Sequence, residues 1–156
     1  MPERRIRVAQ DKVGLIKDLT LQENSRGVFR YIVDLLTFSA ALGFANGRRM
    51  ELTEPAKSPD PIRQAVFQSH GYDTVLNMLA VADGKDASVL GANETAEDLR
   101  VTVFEEYANG GLEILKVELK GSTDYLQSIL LLIMERRKRD LKRDDEMFDI
   151  RALLDQ

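Results

Sequence analysis

The feature that most constrains the fold is a pair of adjacent glycines inside a segment with helical apolar spacing. Residues 103–119 read VFEEYANGGLEILKVEL, and Gly110 and Gly111 stand within them. Each glycine costs a helix about 1 kcal/mol relative to alanine. A sequence that accepts this cost twice must gain something from the missing side chains or from the freedom of the backbone.

Two explanations of the glycine pair stay open. Gly111 shares a face with Phe104 and Leu115, so the missing side chain would let the apolar segment 26–44 pack closely against one continuous helix. Close packing predicts that Gly111→Leu destabilises the protein and that Gly110→Ala is neutral or stabilising. Alternatively, Asn109-Gly110 breaks the segment into two helices. Asn46-Gly47 is expected to end the predicted helix 26–44 in the same way.

Helical periodicity dominates the rest of the chain and predicts a mainly α-helical bundle with one short N-terminal strand at 4–10. Predicted helices cover about 11–20, 26–44, 73–82, 97–119 and 123–139. Side-chain caps are expected from Asp11, from Asn24 or Ser25, and from Ser122 or Thr123. We expect residues 1–140 to form a single domain and residues 141–156 to form an amphipathic C-terminal tail.

The composition excludes several kinds of chemistry. The 156 residues include no cysteine, so disulfides, thiolate zinc sites and cysteine nucleophiles are excluded. The single histidine, His70, is expected to be a capping or surface residue rather than a catalytic one. The net charge of −4 restricts nucleic-acid binding to local basic patches. No window is apolar enough to span a membrane, no signal peptide is visible, and we expect a cytoplasmic protein.

The strand–helix–helix order over 4–44 has two interpretations. In ribbon-helix-helix proteins, a strand of this kind pairs with that of a second subunit and enters the DNA major groove. Arg5 and Arg7 would then face outward and contact DNA, while Ile6 and Val8 face the core. Alternatively, this is an ordinary edge strand with solvated arginines, which is the more frequent case.

A basic run at 135–143, ERRKRDLKR, also has two interpretations. It offers phosphate contacts whose strength would fall with salt, through Arg136, Arg137, Lys138 and Arg139. Alternatively, these cations complement a helix C-terminus and pair with Glu135, Asp140 and Asp144.

Acidic catalysis is a weaker hypothesis. Glu105 and Glu106 are neighbours, and adjacent helical residues point about 100° apart, so they do not form a paired acid/base site. An acidic metal site made by these two residues and Asp83 would define a small nuclease or hydrolase. No metal-ligand spacing of the HExxH type supports it, and we expect no metal, no cofactor and no enzymatic activity.

Two segments carry a family resemblance: LLTFSAALGFANGRR at 35–49 and FEEYANGGLEIL at 104–115. Together they resemble an accessory family of bacterial DNA phosphorothioation (Dnd) loci, Dnd system-associated protein 4, over about 11–134. The element order is more loosely similar to the DNA-binding E component of that system. That second resemblance implies a DNA-contacting surface, which would consist here of Arg4, Arg5, Arg7, Lys12, Arg48 and Arg49.

The resemblance implies the biological system in which the protein acts rather than a reaction that it catalyses. It points to a non-enzymatic accessory protein of a DNA phosphorothioation or restriction defence system, acting by binding DNA or a partner subunit. The alternative is a protein–protein adaptor or regulator that does not bind DNA and docks through its tail. Expected partners are DNA, other proteins of the same system and further copies of this chain, because a ribbon-helix-helix requires a dimer.

Overall fold

The computed structural model describes residues 3–23 and 26–147, with side chains through 144, and the expected cap at Asn24 or Ser25 lies outside them. The helices are α1 (Val13–Leu19), α2 (Ile32–Ala45), α3 (Gln64–Ser69), α4 (Asp73–Gly84), α5 (Glu94–Glu118) and α6 (Tyr125–Met147), with 3-10 turns at Gln10–Lys12 and Ala87–Leu90. The predicted mainly α-helical class is confirmed. The chain divides into two compact units, Met1–Lys120 and Gly121–Gln156.

The predicted N-terminal strand is absent from the described residues. Residues 4–9 are extended but form only isolated bridges, one of them between Ile6 and Ile62, which exchange two backbone hydrogen bonds of 2.8 Å. The N–H of Ala56 donates to the carbonyl of Val8 at 2.8 Å. Ile6 and Val8 are buried as expected. The loop at 54–62 of the same chain therefore uses the hydrogen-bonding edge that a ribbon-helix-helix would offer to a second subunit.

The second helix starts six residues later than predicted. The N–H groups of Val28 and Phe29 both donate to the carbonyl of Leu19 at 2.9 Å, and this pairing holds the preceding segment extended. The helix then begins at Ile32, where the Asp34 carboxylate accepts the N–H of Tyr31 at 3.1 Å. It ends as predicted, because Asn46 caps the carbonyl of Leu42 and Gly47 follows with φ +60°.

Two other predicted caps are wrong. Asp11 lies inside the 3-10 turn and its carboxylate binds the Lys12 ammonium, so it does not cap α1. At α6 the cap is Asp124 rather than Ser122 or Thr123, since the Asp124 carboxylate accepts the N–H of Gln127 at 3.1 Å. Helix α3 was not predicted from the sequence at all. It is short, and it contributes the fully buried Phe67.

The core of the first unit lies mainly between α2 and α5, which make the most extensive helix contact. Leu35, Leu36, Phe104 and Leu112 are each at most 1% exposed. The ring of Phe67 packs edge-on against Phe104, with their centroids 5.3 Å apart. The strongly apolar α2 is mostly buried, as its sequence predicts.

The glycine pair lies in one unbroken helix, so the close-packing explanation is correct. A Cβ on Gly111 would overlap the carbonyl oxygen of Ser39 in α2. The prediction that Gly110→Ala is harmless is wrong, because a Cβ on Gly110 would overlap the carbonyl oxygen of Arg48. Gly110 is therefore needed for space rather than for a left-handed backbone.

No helix among the described residues is long and apolar enough to cross a membrane.

Candidate functional site

The N-terminal arginines meet α5 at Glu105, a carboxylate that is only 2% exposed. Arg7 binds it three times: its backbone N–H donates to Oε1 at 2.8 Å, Nε to Oε1 at 3.2 Å and Nη2 to Oε2 at 3.0 Å. Arg4 adds a longer contact from Nη2 to Oε2 at 3.5 Å. The hydrogen bond to Glu105 raises the pKa of Arg7. The outward orientation predicted for Arg7 is not observed, because its guanidinium anchors the N-terminal segment to the core.

Arg5 differs from its neighbours. It is exposed, and no ion pair of its side chain is found among the described residues. It lines an open cleft of about 780 Å³ together with Arg4, Arg7, Pro61 and four acidic residues, Glu3, Glu94, Glu97 and Asp98. The acidic wall of this cleft opposes phosphate binding at this place.

Arg49 is also held by carboxylates of its own chain. Its Nη1 donates to Asp83 Oδ2 at 2.7 Å, and its Nε donates to the carboxylate of Glu106. Tyr107 joins this cluster by donating its hydroxyl to Asp83 Oδ1 at 2.7 Å. Burial, and secondly this hydrogen bond, raise the pKa of Tyr107. The cluster joins α4 and α5 to the segment after α2.

Arg48 makes its contacts with the rest of the protein mainly through its backbone. Its N–H donates to the carbonyl of Gly43 at 2.8 Å, and its own carbonyl lies against Gly110. Two residues on, the N–H of Met50 donates to the carbonyl of Glu106 at 3.0 Å. The Arg48 side chain is exposed and has no ion pair among the residues that the structure describes.

The basic run lies in the second unit, on α6. Arg137, Lys138 and Arg139 are exposed, while Arg136 is partly buried. The expected pairing of these cations with acidic residues of the same helix is not seen for Arg137, Lys138 or Arg139 within the described part of the chain. Of the arginines and lysines proposed to contact DNA, Arg4, Arg7, Lys12 and Arg49 pair with carboxylates of their own chain, whereas these three have no ion pair among the described side chains.

The adjacent carboxylates of α5 have separate partners. Glu105 binds Arg7, and Glu106 binds Arg49, so the two do not converge on a common point. The described side chains, those of residues 3–23 and 26–144, contain no group of three or more acidic or histidine residues placed to hold a metal ion. His70 is exposed at the C-terminal end of α3, and its Nδ1 lies 3.0 Å from the carbonyl of Val66.

The sequence interpretation missed two features. The first is a buried ion pair in which Lys12, fully buried, places its Nζ 2.9 Å from Glu113 of α5 and 3.0 Å from Asp11. Its hydrogen bond lowers the pKa of Glu113. No local signal marks this pair, because its two sides are about a hundred residues apart in the chain.

The second missed feature is an exposed apolar stripe on α6, which consists of Leu126, Leu130, Ile133, Met134 and Leu141. Each of these side chains is between 44% and 55% exposed. Their spacing of three and four residues was visible in the sequence and could have indicated an unpartnered helix face.

Comparison with known proteins gives one family. The sequence model of the DNA sulphur modification system-associated protein 4 family matches residues 5–153. This match is longer than the 11–134 expected from the motifs and takes in most of the C-terminal tail. No curated protein and no solved structure matches significantly. Because the match covers nearly the whole chain, this protein belongs to the DNA sulphur modification system-associated protein 4 family.

Proposed function

We propose that this protein is a non-enzymatic accessory component of a DNA sulphur modification and restriction defence system, and that it binds the DNA backbone in the cytoplasm. The family match supports its association with such a system. DNA binding is supported by one observation: Arg137, Lys138 and Arg139 of α6 are exposed and have no ion pair among the described side chains. Arg137, Lys138 and Arg139 form part of a nine-residue run that holds six basic and two acidic residues. Such a local concentration attracts phosphates even on a protein of net charge −4.

The contacts of the other arginines direct the proposal to α6. Arg7 would have to leave the buried Glu105 to reach a phosphate, and Arg49 would have to leave Asp83 and Glu106. Leaving a buried carboxylate without its partner is costly. Arg48 is exposed and remains a secondary candidate, whereas the acidic residues beside Arg5 argue against phosphate binding there. We propose no role in DNA contact for Arg7 or Arg49 beyond positioning their segments.

A fluorescence anisotropy titration with labelled duplex DNA tests this proposal. Affinity should fall steeply between about 50 and 200 mM salt. The double variant Lys138→Ala/Arg139→Ala should weaken binding and reduce the slope of log affinity against log salt by about 2. Its matched control is Lys57→Ala/Lys116→Ala, which removes the same charge from two exposed positions elsewhere and should bind like the parent protein.

Three results would contradict DNA binding through α6. Absence of binding at low salt would rule out DNA binding altogether. A salt-independent affinity would rule out phosphate contacts. An equal loss in both double variants would show that only the total charge matters and not the α6 residues.

The second candidate function is a protein adaptor that uses the tail 141–156 and does not bind DNA. The observation that favours it is that the family match continues through this tail to residue 153. Deleting 144–156 should abolish capture of the proteins encoded beside this one while leaving the circular dichroism spectrum helical. Unchanged capture would contradict the adaptor proposal.

A further inference from the structure

Helix α6 carries more exposed large apolar side chains than any other element among the described residues. Five of them form the α6 stripe: Leu126, Leu130, Ile133, Met134 and Leu141. Five large apolar side chains on a single helix face, each about half exposed, form a contiguous apolar patch of the kind that often marks an interaction site. The helix is 23 residues long, about 35 Å, so the stripe occupies a face long enough to pack against a second helix.

The stripe has the symmetry that an isologous contact needs. In a two-fold interface, residue i of one copy contacts residue j of the other and the reverse. An antiparallel pair with its axis between residues 133 and 134 places Leu126 opposite Leu141 and Ile133 opposite Met134. Leu130 then lies opposite Arg137, whose methylene groups can cover it while the guanidinium reaches water. Every member of the stripe meets an apolar surface in this register.

The charge distribution along α6 favours an antiparallel over a parallel arrangement of two copies. Residues 125–134, YLQSILLLIM, carry no charge, whereas residues 135–143 carry six basic and two acidic side chains. A parallel pair would place the two basic halves side by side, which is repulsive. An antiparallel pair places each basic half beside the uncharged half of the other copy and separates the two basic regions. A second copy in the opposite direction therefore covers the stripe without placing the two basic regions side by side.

We infer that two copies of this protein associate through an antiparallel pair of α6 helices, with Leu126, Leu130, Ile133, Met134 and Leu141 at their contact. This contact does not involve the N-terminal segment through which a ribbon-helix-helix would dimerise, and it does not depend on DNA. One helix from each copy buries less than the roughly 800 Å² per partner of a standard stable interface. We therefore expect the association to be weak and to depend on the protein concentration.

Sedimentation equilibrium of the full chain without DNA provides the first test. The expected result is a species of twice the 17.6 kDa chain mass that dissociates on dilution. Leu130→Glu should shift the equilibrium to monomer by at least tenfold in dissociation constant. Met78→Glu is the matched control, because Met78 is 65% exposed on α4, and it should dimerise like the parent. A monomer at 100 µM, as an order-of-magnitude limit, or a dimer unaffected by Leu130→Glu, would overturn the inference.

Single cysteines test the direction of the pair, since the chain has none of its own. In the antiparallel register, the two copies of residue 133 lie about 1.5 Å apart along the helix axis, so Ile133→Cys should form a disulfide-linked dimer. The two copies of residue 126 lie about 22 Å apart, so Leu126→Cys alone should not. A mixture of Leu126→Cys and Leu141→Cys should cross-link. Self-cross-linking of Leu126→Cys, or no cross-linking of Ile133→Cys, would overturn the inference, whatever the outcome of DNA titrations.

Discussion

Gly111 of α5 lies directly against the main-chain carbonyl of Ser39 in α2, with no space between them for a Cβ atom. Ser39 is fully buried, and the reciprocal contact is made by Gly43 of α2, whose Cβ would overlap the carbonyl of Tyr107. The two central helices therefore meet backbone to backbone. This approach explains why a helix that is central to the core accepts residues of poor helix propensity.

The first prediction concerns that crossing. Gly111→Ala and Gly110→Ala should each lower the free energy of unfolding by more than about 2 kcal/mol, because main-chain atoms cannot move aside as a flexible side chain could. Urea denaturation followed by circular dichroism measures the change. Gly14→Ala in α1 is the control, since a Cβ there meets nothing within 4 Å, and it should stabilise by about 0.4–1 kcal/mol. A neutral Gly111→Ala would contradict the close crossing of α2 and α5.

The second prediction concerns the anchor of the N-terminal segment. Glu105→Gln should destabilise the protein by about 2 kcal/mol, because it removes the charged acceptor of Arg7 and leaves Arg4 with only Asp98. The cost is limited by the partial exposure of both arginines. Glu3→Gln is the matched control, since its partner Arg63 is 64% exposed, and it should change stability by less than about 0.5 kcal/mol. Equal effects from the two substitutions would mean that burial of Glu105 adds nothing to its ion pairs.

The third prediction is a pH dependence of stability caused by Glu113. The hydrogen bond from Lys12 lowers the pKa of Glu113 in the folded protein below its ordinary value of 4.5. The contribution of this group is therefore fully present above pH 4.5 and is lost as the pH falls through the lower folded pKa. Glu113→Gln should flatten this part of the curve of unfolding free energy against pH. If the unfolding free energy of the variant falls with decreasing pH as steeply as that of the parent protein, Glu113 does not cause this pH dependence.

The fourth prediction is an asymmetry within the Lys12–Glu113 pair. Lys12 is fully buried, whereas the Glu113 side chain is 24% exposed. Removing the carboxylate leaves a buried ammonium with only Asp11, but removing the ammonium leaves a carboxylate that water can reach. Glu113→Gln should therefore destabilise more than Lys12→Met does at pH 7 in a urea titration. The reverse order would show that packing of the lysine methylenes outweighs the charge.

Local patterns in the sequence determined the helical class, the positions of most helices, the end of α2 at Asn46-Gly47 and the family. These follow from neighbouring residues, since a period of 3.6 and a positive-φ glycine act over a few positions. Only the tertiary structure decided that the segments around α1 are extended and which carboxylates the arginine side chains bind. Whether Arg7 faces solvent depends on Glu105, nearly a hundred residues away, and whether Gly110 tolerates alanine depends on the carbonyl of Arg48. Contacts between residues so distant in the chain leave no periodic signal in it, and only packing brings their partners together.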